Sequence, residues 1–126
     1  MATETKIENA LITGTTLGRE DHGIMSAYIH LSGDGWGVSF GGFAFDGWNE
    51  AAQKREASAF GMQFVMNVID VVGVDSWEKL KGQHVRVESA GWGGRALRIG
   101  HITKNQWFDP AELADAMLAA ERRKGA

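Results

Sequence analysis

The 126-residue chain contains no cysteine and a single proline, Pro110. Without cysteine there is no disulfide framework, no thiol nucleophile and no cysteine-ligated zinc or iron–sulfur centre. Low-complexity disorder combines proline and glycine with low hydrophobicity. Here the 17 glycines lie among apolar residues instead, as turn, bulge and close-packing positions do. Long apolar runs are missing too. The best candidate, Phe64 to Val74, is interrupted by Asn67, Asp70 and Gly73 and falls short of the roughly 20 residues of a membrane span. The polar start, Met1 to Lys6, lacks the apolar core of a signal peptide. No membrane partner is expected, and the cytoplasm is the expected compartment.

Positive charge is outnumbered, 13 Lys and Arg against 16 Asp and Glu. A net charge of −3 argues against the basic surface that binds phosphate backbones, so nucleic acid is not the expected partner. Catalytic signatures are missing: no Gly-x-Ser-x-Gly elbow, no phosphate loop ending in Gly-Lys-Ser/Thr and no dinucleotide fingerprint. His22, His30, His84 and His101 show no metal-ligand spacing. Neither a metal nor a cofactor is expected, and no residue is assigned a catalytic role.

What is present is a run of glycines and large aromatics from Gly33 to Trp48, with a shorter copy at Ala90-Gly91-Trp92-Gly93-Gly94. Aromatics supply contact area, and glycines allow close approach or a strand kink. An extended segment from about Ile7 to Leu17 and a polar turn at 18–23 precede a strand from Ile24 to Ser32. There Met25, Ala27, Ile29 and Leu31 alternate with polar residues. Gly33-Asp34-Gly35 closes a hairpin into a strand with Trp36, Val38 and Phe40 on one face. The apolar phase then shifts at Gly41-Gly42, which predicts a bulge. The main helix is expected from about Asn49 to Val72. Ala57, Phe60, Gly61, Phe64, Val68 and Val71 form its apolar stripe, Gly61 marks close approach to the sheet, and Gly73 ends it. A short turn at 76–81, a second hairpin at 84–88 and 95–102, and a C-terminal helix started by Asp109-Pro110 follow. Trp107-Phe108 reads as a hydrophobic staple onto the body. The order β-β-β-α-β-β-α predicts one α+β domain, a mainly antiparallel sheet of about five strands covered by one long helix.

Two surfaces stand out as candidate sites. Trp36 and Phe40 can stack on a planar ligand, with Arg95, Arg98 and His101 meeting its charged groups. Phe43 and Phe45 read as core. Glu20, Asp21, His22, Asp34, Asp46 and Trp92 form a second set, an acidic loop surface with a tip tryptophan, suited to a basic channel on a partner protein. Asp21-His22-Gly23 is the one place where a small enzyme would find an acid–base pair. The turn-forming character of Asp and Gly explains it without chemistry.

Asp21-His22-Gly23-Ile24, Gly35-Trp36-Gly37 through Phe40-Gly41-Gly42-Phe43, Val74-Asp75-Ser76-Trp77-Glu78 with Leu80-Lys81-Gly82, and Ile99-Gly100-His101-Ile102 with Trp107-Phe108 make the chain resemble short accessory proteins encoded by bacteriophages and prophages, over about residues 11–113. The resemblance transfers no site residues. It implies a role exercised by binding: blocking a host defence protein, sequestering a nucleotide-like defence signal, or assisting phage DNA replication or recombination. A homodimer or higher homo-oligomer is the expected state.

Overall fold

The computed structural model describes residues 5–90 and 95–124, without the side chains of Glu20, Asp21 and Lys124. Among the described residues the strands are β1 (Lys6–Asp21), β2 (Ile24–Gly33), β3 (Trp36–Gly41), β4 (Asp46–Asn49), β5 (Lys54–Ala57), β6 (His84–Ser89), β7 (Ala96–His101) and β8 (Trp107–Phe108). The helices are α1 (Ala59–Val72) and α2 (Pro110–Lys124). Six strands form an antiparallel sheet in the order β3-β2-β1-β6-β7-β8, and β4-β5 form a separate hairpin. The fold is α+β, as the hairpin-rich sequence predicts.

β1 organises the sheet because it serves two partners. Its first half, Lys6 to Leu11, pairs with β6, and Leu11 to Asp21 pairs with β2. The register shifts between Ile12 and Gly14. At that point Ile12 donates to the Gln83 carbonyl and accepts from the Gly82 amide, both at 2.8 Å. The bulge turns the strand from one half of the sheet into the other. The sheet curls enough for β3 to approach β7, so strands far apart in the order face each other across an interior. Phe40 of β3 and Phe108 of β8 meet edge-on at 6.1 Å.

α1 lies inside this curl. Phe64, with no exposed surface, sits 5.9 Å from Phe40, 5.2 Å from Phe45 and 5.2 Å from Phe108. Ala10, Ile12, Ala27, Ile29, Val85, Val87 and Ile99 supply the sheet side of this core. Gly61 carries the close approach expected of it: a Cβ there would stand 2.7 Å from Phe45 Cβ. Gly73, at φ 91°, ends the helix by donating to the Ile69 carbonyl. Asp109 caps α2, its Oδ1 accepting from the amides of Ala111 and Glu112.

The helix starts later than its expected boundary near Asn49. Residues 46–57 form the β4-β5 hairpin instead. Between Asn49 and Glu56 the only apolar residues are Ala51 and Ala52, too few to make a helical stripe. Asp46 then fixes the alternative. Its Oδ1 accepts from Arg55 at 2.9 Å and from the Met25 amide at 3.1 Å, and its Oδ2 accepts from Arg19 at 3.0 Å. Asp46 was expected on an exposed acidic surface. Its side chain is only 4% exposed, because this carboxylate ties the β4-β5 hairpin to the β1-β2 end of the sheet. Ser58 hands the chain into α1, donating from both its amide and its hydroxyl to the Phe45 carbonyl.

Two outcomes follow from this packing. Phe64→Ala leaves a cavity among five rings and is expected to lower unfolding free energy by about 3–5 kcal/mol, measured by urea denaturation; a loss below about 1 kcal/mol contradicts the assigned core role. The Arg55 hydrogen bond, with the Met25 amide and Arg19, lowers the Asp46 pKa from 3.8 to about 2. The stabilisation is complete above the ordinary value and is lost as pH falls from about 4 through about 2. The stability gap between the wild type and Asp46→Asn should narrow over that window. A gap independent of pH contradicts the role given to the carboxylate.

Candidate ligand-binding site

Successive side chains of a strand point to opposite faces, so residues paired across β1, β6, β7 and β8 form rows on the outer side of the sheet. One row runs Asn9, Arg86, Gly100, Trp107. Glu88 and Arg98 form its neighbour. Gly100 makes the first row unusual: a Cβ at that position would come within 2.7 Å of Trp107 Cδ2. The glycine therefore provides the seat on which the Trp107 indole lies.

Two guanidinium groups meet this indole. The Arg86 guanidinium carbon is 4.7 Å from the ring centroid and that of Arg98 is 4.3 Å away, within cation–π range. Arg86 is oriented from behind, donating from Nε to the His101 carbonyl at 2.8 Å and from Nη2 to the Lys104 carbonyl at 2.7 Å. Neutral carbonyls hold it without cancelling its charge. Arg98 donates from Nε to Glu88 Oε1 at 2.5 Å. The Glu88 pKa is lowered, first by a hydrogen bond from Thr5 and then by Arg98. The arrangement is a fixed indole with two positioned guanidiniums, one partly neutralised by Glu88 and the other, among the described residues, held by carbonyls. Such a surface suits a planar group that also carries phosphate or carboxylate oxygens.

The sequence-predicted ligand set is divided. Arg98 lies on this outer face, and Arg95 is exposed just before β7 begins. Phe40 is 1% exposed and stacks on Phe64, so it is core and cannot receive a ligand. Trp36 shares its inner side of β3, packs against the core and folds back over its own hairpin. A Cβ at Gly33 would lie 2.1 Å from Trp36 Cε2. His101 is one residue out of phase with Gly100, and its ring lies close to Gly73 at the end of α1. Its Nδ1 accepts from the amides of Thr103 at 3.1 Å and Lys104 at 3.0 Å. That makes it the anchor of the loop joining β7 and β8.

Of the acidic set, Asp34 is exposed in the β2-β3 turn and His22 is exposed at positive φ between β1 and β2. The side chains of Glu20 and Asp21, and all of Trp92, lie outside the described residues.

Sequence reading left Trp107 and Arg86 out of the ligand set. Trp107-Phe108 reads as a staple, and half of that is right: Phe108 enters the core. The other half turns outward because the pair forms β8, a strand that alternates. Gly100, a glycine within a strand, was the available signal of close approach. A second polar cluster was also missed. On the outer side of β1, β2 and β3, the His30 ring nitrogens lie 3.0 Å from Thr16 Oγ1 and 3.0 Å from Ser39 Oγ, and the ring stacks beside Tyr28 at 6.4 Å. It bridges three strands. Among the described residues no group of three His, Asp or Glu side chains could hold a metal ion, and no helix is long and apolar enough to cross a membrane. No family model, curated protein or solved structure matches this chain.

Proposed function

We propose that the protein acts by binding, not by catalysis, and that its outer sheet face takes a small planar ligand bearing phosphate, a nucleotide-like signal. The observation that carries this reading is the placement of Arg86 and Arg98 over one indole seated on Gly100. The guanidinium groups held over the ring offer a stacking face of their own and donors for phosphate oxygens. Exposed Lys104 adds a further cation next to Arg86. In the setting that the phage resemblance implies, withdrawing such a signal from the host counteracts a defence response. The acidic-surface alternative is weakened by Asp46, which is occupied inside the fold.

A second reading has its own support. The chain runs β1-β2-β3, then α1, then β6-β7, and the sheet curls until β3 approaches β7. Small, partly open barrels of this kind commonly bind single-stranded oligonucleotides on their outer face. Replication or recombination accessory work would use that geometry. Fold analogy ranks below site chemistry, and the net charge of −3 opposes a phosphate-backbone binder.

Calorimetric titration with 5′-AMP, 5′-GMP and a single-stranded oligothymidylate of roughly ten nucleotides separates the readings. Mononucleotide binding should weaken roughly tenfold or more in Arg86→Ala and further in the Arg86→Ala, Arg98→Ala pair. Tight binding of the oligonucleotide alone, falling steeply with salt, favours the second reading. Failure of every nucleotide to bind, or equal binding by the wild type and the double variant, overturns the proposal.

A further inference from the structure

Between the C-terminal half of α1 and the edge strand β8 lies an open groove of about 280 Å³, lined by Asn67, Asp70, Val71, Gln106, Trp107 and Phe108. It is near the lower size limit of small-molecule sites. It adjoins the arginine face, because Trp107 belongs to both. Its lining chemistry differs from that face. The described lining residues include a carboxylate, two amides and an apolar wall, with no cation among them.

The two α1 residues have distinct hydrogen-bonding capacity. Gln63 Nε2 donates to Asn67 Oδ1 at 2.7 Å. This engages the carbonyl side of Asn67 and leaves its amide N–H groups to donate. Asp70 follows three residues later, on the same side of the helix, and an ionised carboxylate only accepts. The helix thus presents a donor next to an acceptor with two oxygens. An occupant that fits has an acceptor beside two adjacent donors, on a flat ring that can lie against Val71 and the β8 edge.

We infer that this groove takes a guanine base. The inference rests on the nucleotide reading above and specifies its base. Guanine O6 accepts from the Asn67 amide, while N1–H and the exocyclic amino group both donate to Asp70. Adenine offers the carboxylate one amino donor beside the N1 lone pair, so one carboxylate oxygen faces a lone pair rather than a proton. The phosphate, repelled by Asp70, extends past Trp107 toward Arg86 and Lys104. Hypoxanthine keeps O6 and N1–H but lacks the amino group, and it ranks between the two.

The test is calorimetric titration of the full chain with 5′-GMP, 5′-IMP and 5′-AMP, repeated for Asp70→Asn and Arg86→Ala. Asp70 is exposed, so its amide variant leaves the core intact. The expected order is GMP, then IMP, then AMP, with GMP favoured over AMP roughly tenfold or more. Asp70→Asn should bring GMP down to the level of AMP, and Arg86→Ala should weaken all three while keeping their order. If the wild type binds all three equally and Asp70→Asn changes nothing, while Arg86→Ala still weakens binding, the guanine assignment falls and the arginine-face reading stands. If no nucleotide binds the wild type, both fall.

Discussion

Everything in this molecule depends on Phe64. An antiparallel sheet that curls on itself must fill the interior between its two ends, and here Phe64 stands at the centre of that filling. Phe64 touches Phe40 from the β3 end and Phe108 from the β8 end. The contact holds α1 on the inner side and sets how far the sheet closes. Ring pairs at these distances add specific edge and offset interactions to their area burial. Gly61 completes the arrangement by letting Phe45 close against the helix. Remove the ring and the two ends of the sheet lose their common partner.

The same one-sided burial leaves apolar residues of the outer side exposed among the described residues. Ile7 and Leu11 are exposed there, beside the rows that carry Arg86, Glu88, Arg98 and Trp107. Two glycines act in opposite directions across the sheet. Gly61 admits a core ring from inside, whereas Gly100 seats a tryptophan outside. The outer indole is fixed by backbone shape before any ligand arrives, and Arg86 is fixed by two carbonyls. Preorganisation of this kind lowers the ordering cost of binding. The groove beyond Trp107 continues the surface around the sheet edge, so cationic and anionic chemistry meet at one aromatic residue.

The inner half of this architecture was legible in the sequence. Period-two alternation in Ile24–Ser32 identified Ala27, Ile29 and Leu31 as core, and the stripe from Phe60 to Val71 identified the buried face of α1. Gly73 and Asp109 announced helix ends through local chemistry. The β4-β5 hairpin was not legible, because Asp46 draws its partners Arg19 and Arg55 from separate parts of the chain. Phe40 illustrates the same difficulty within one strand. Alternation places it on a face but does not say whether that face is covered. Arg98 was legible as a candidate ligand residue, whereas Arg86 and Trp107 are brought to it only by the β6-β7-β8 register. His101 was displaced from the set by a single step of alternation.

The most direct test of the outer-face account is heteronuclear NMR of the labelled protein titrated with 5′-GMP, following backbone amides and the tryptophan indole N–H signals. The account predicts shifts in the Trp107 indole, in residues 86, 98 and 100, and in the loop through Lys104, with the Phe64 core unchanged. Shifts confined to the β1-β2 and β2-β3 turns, with the Trp107 signal unmoved, would contradict it.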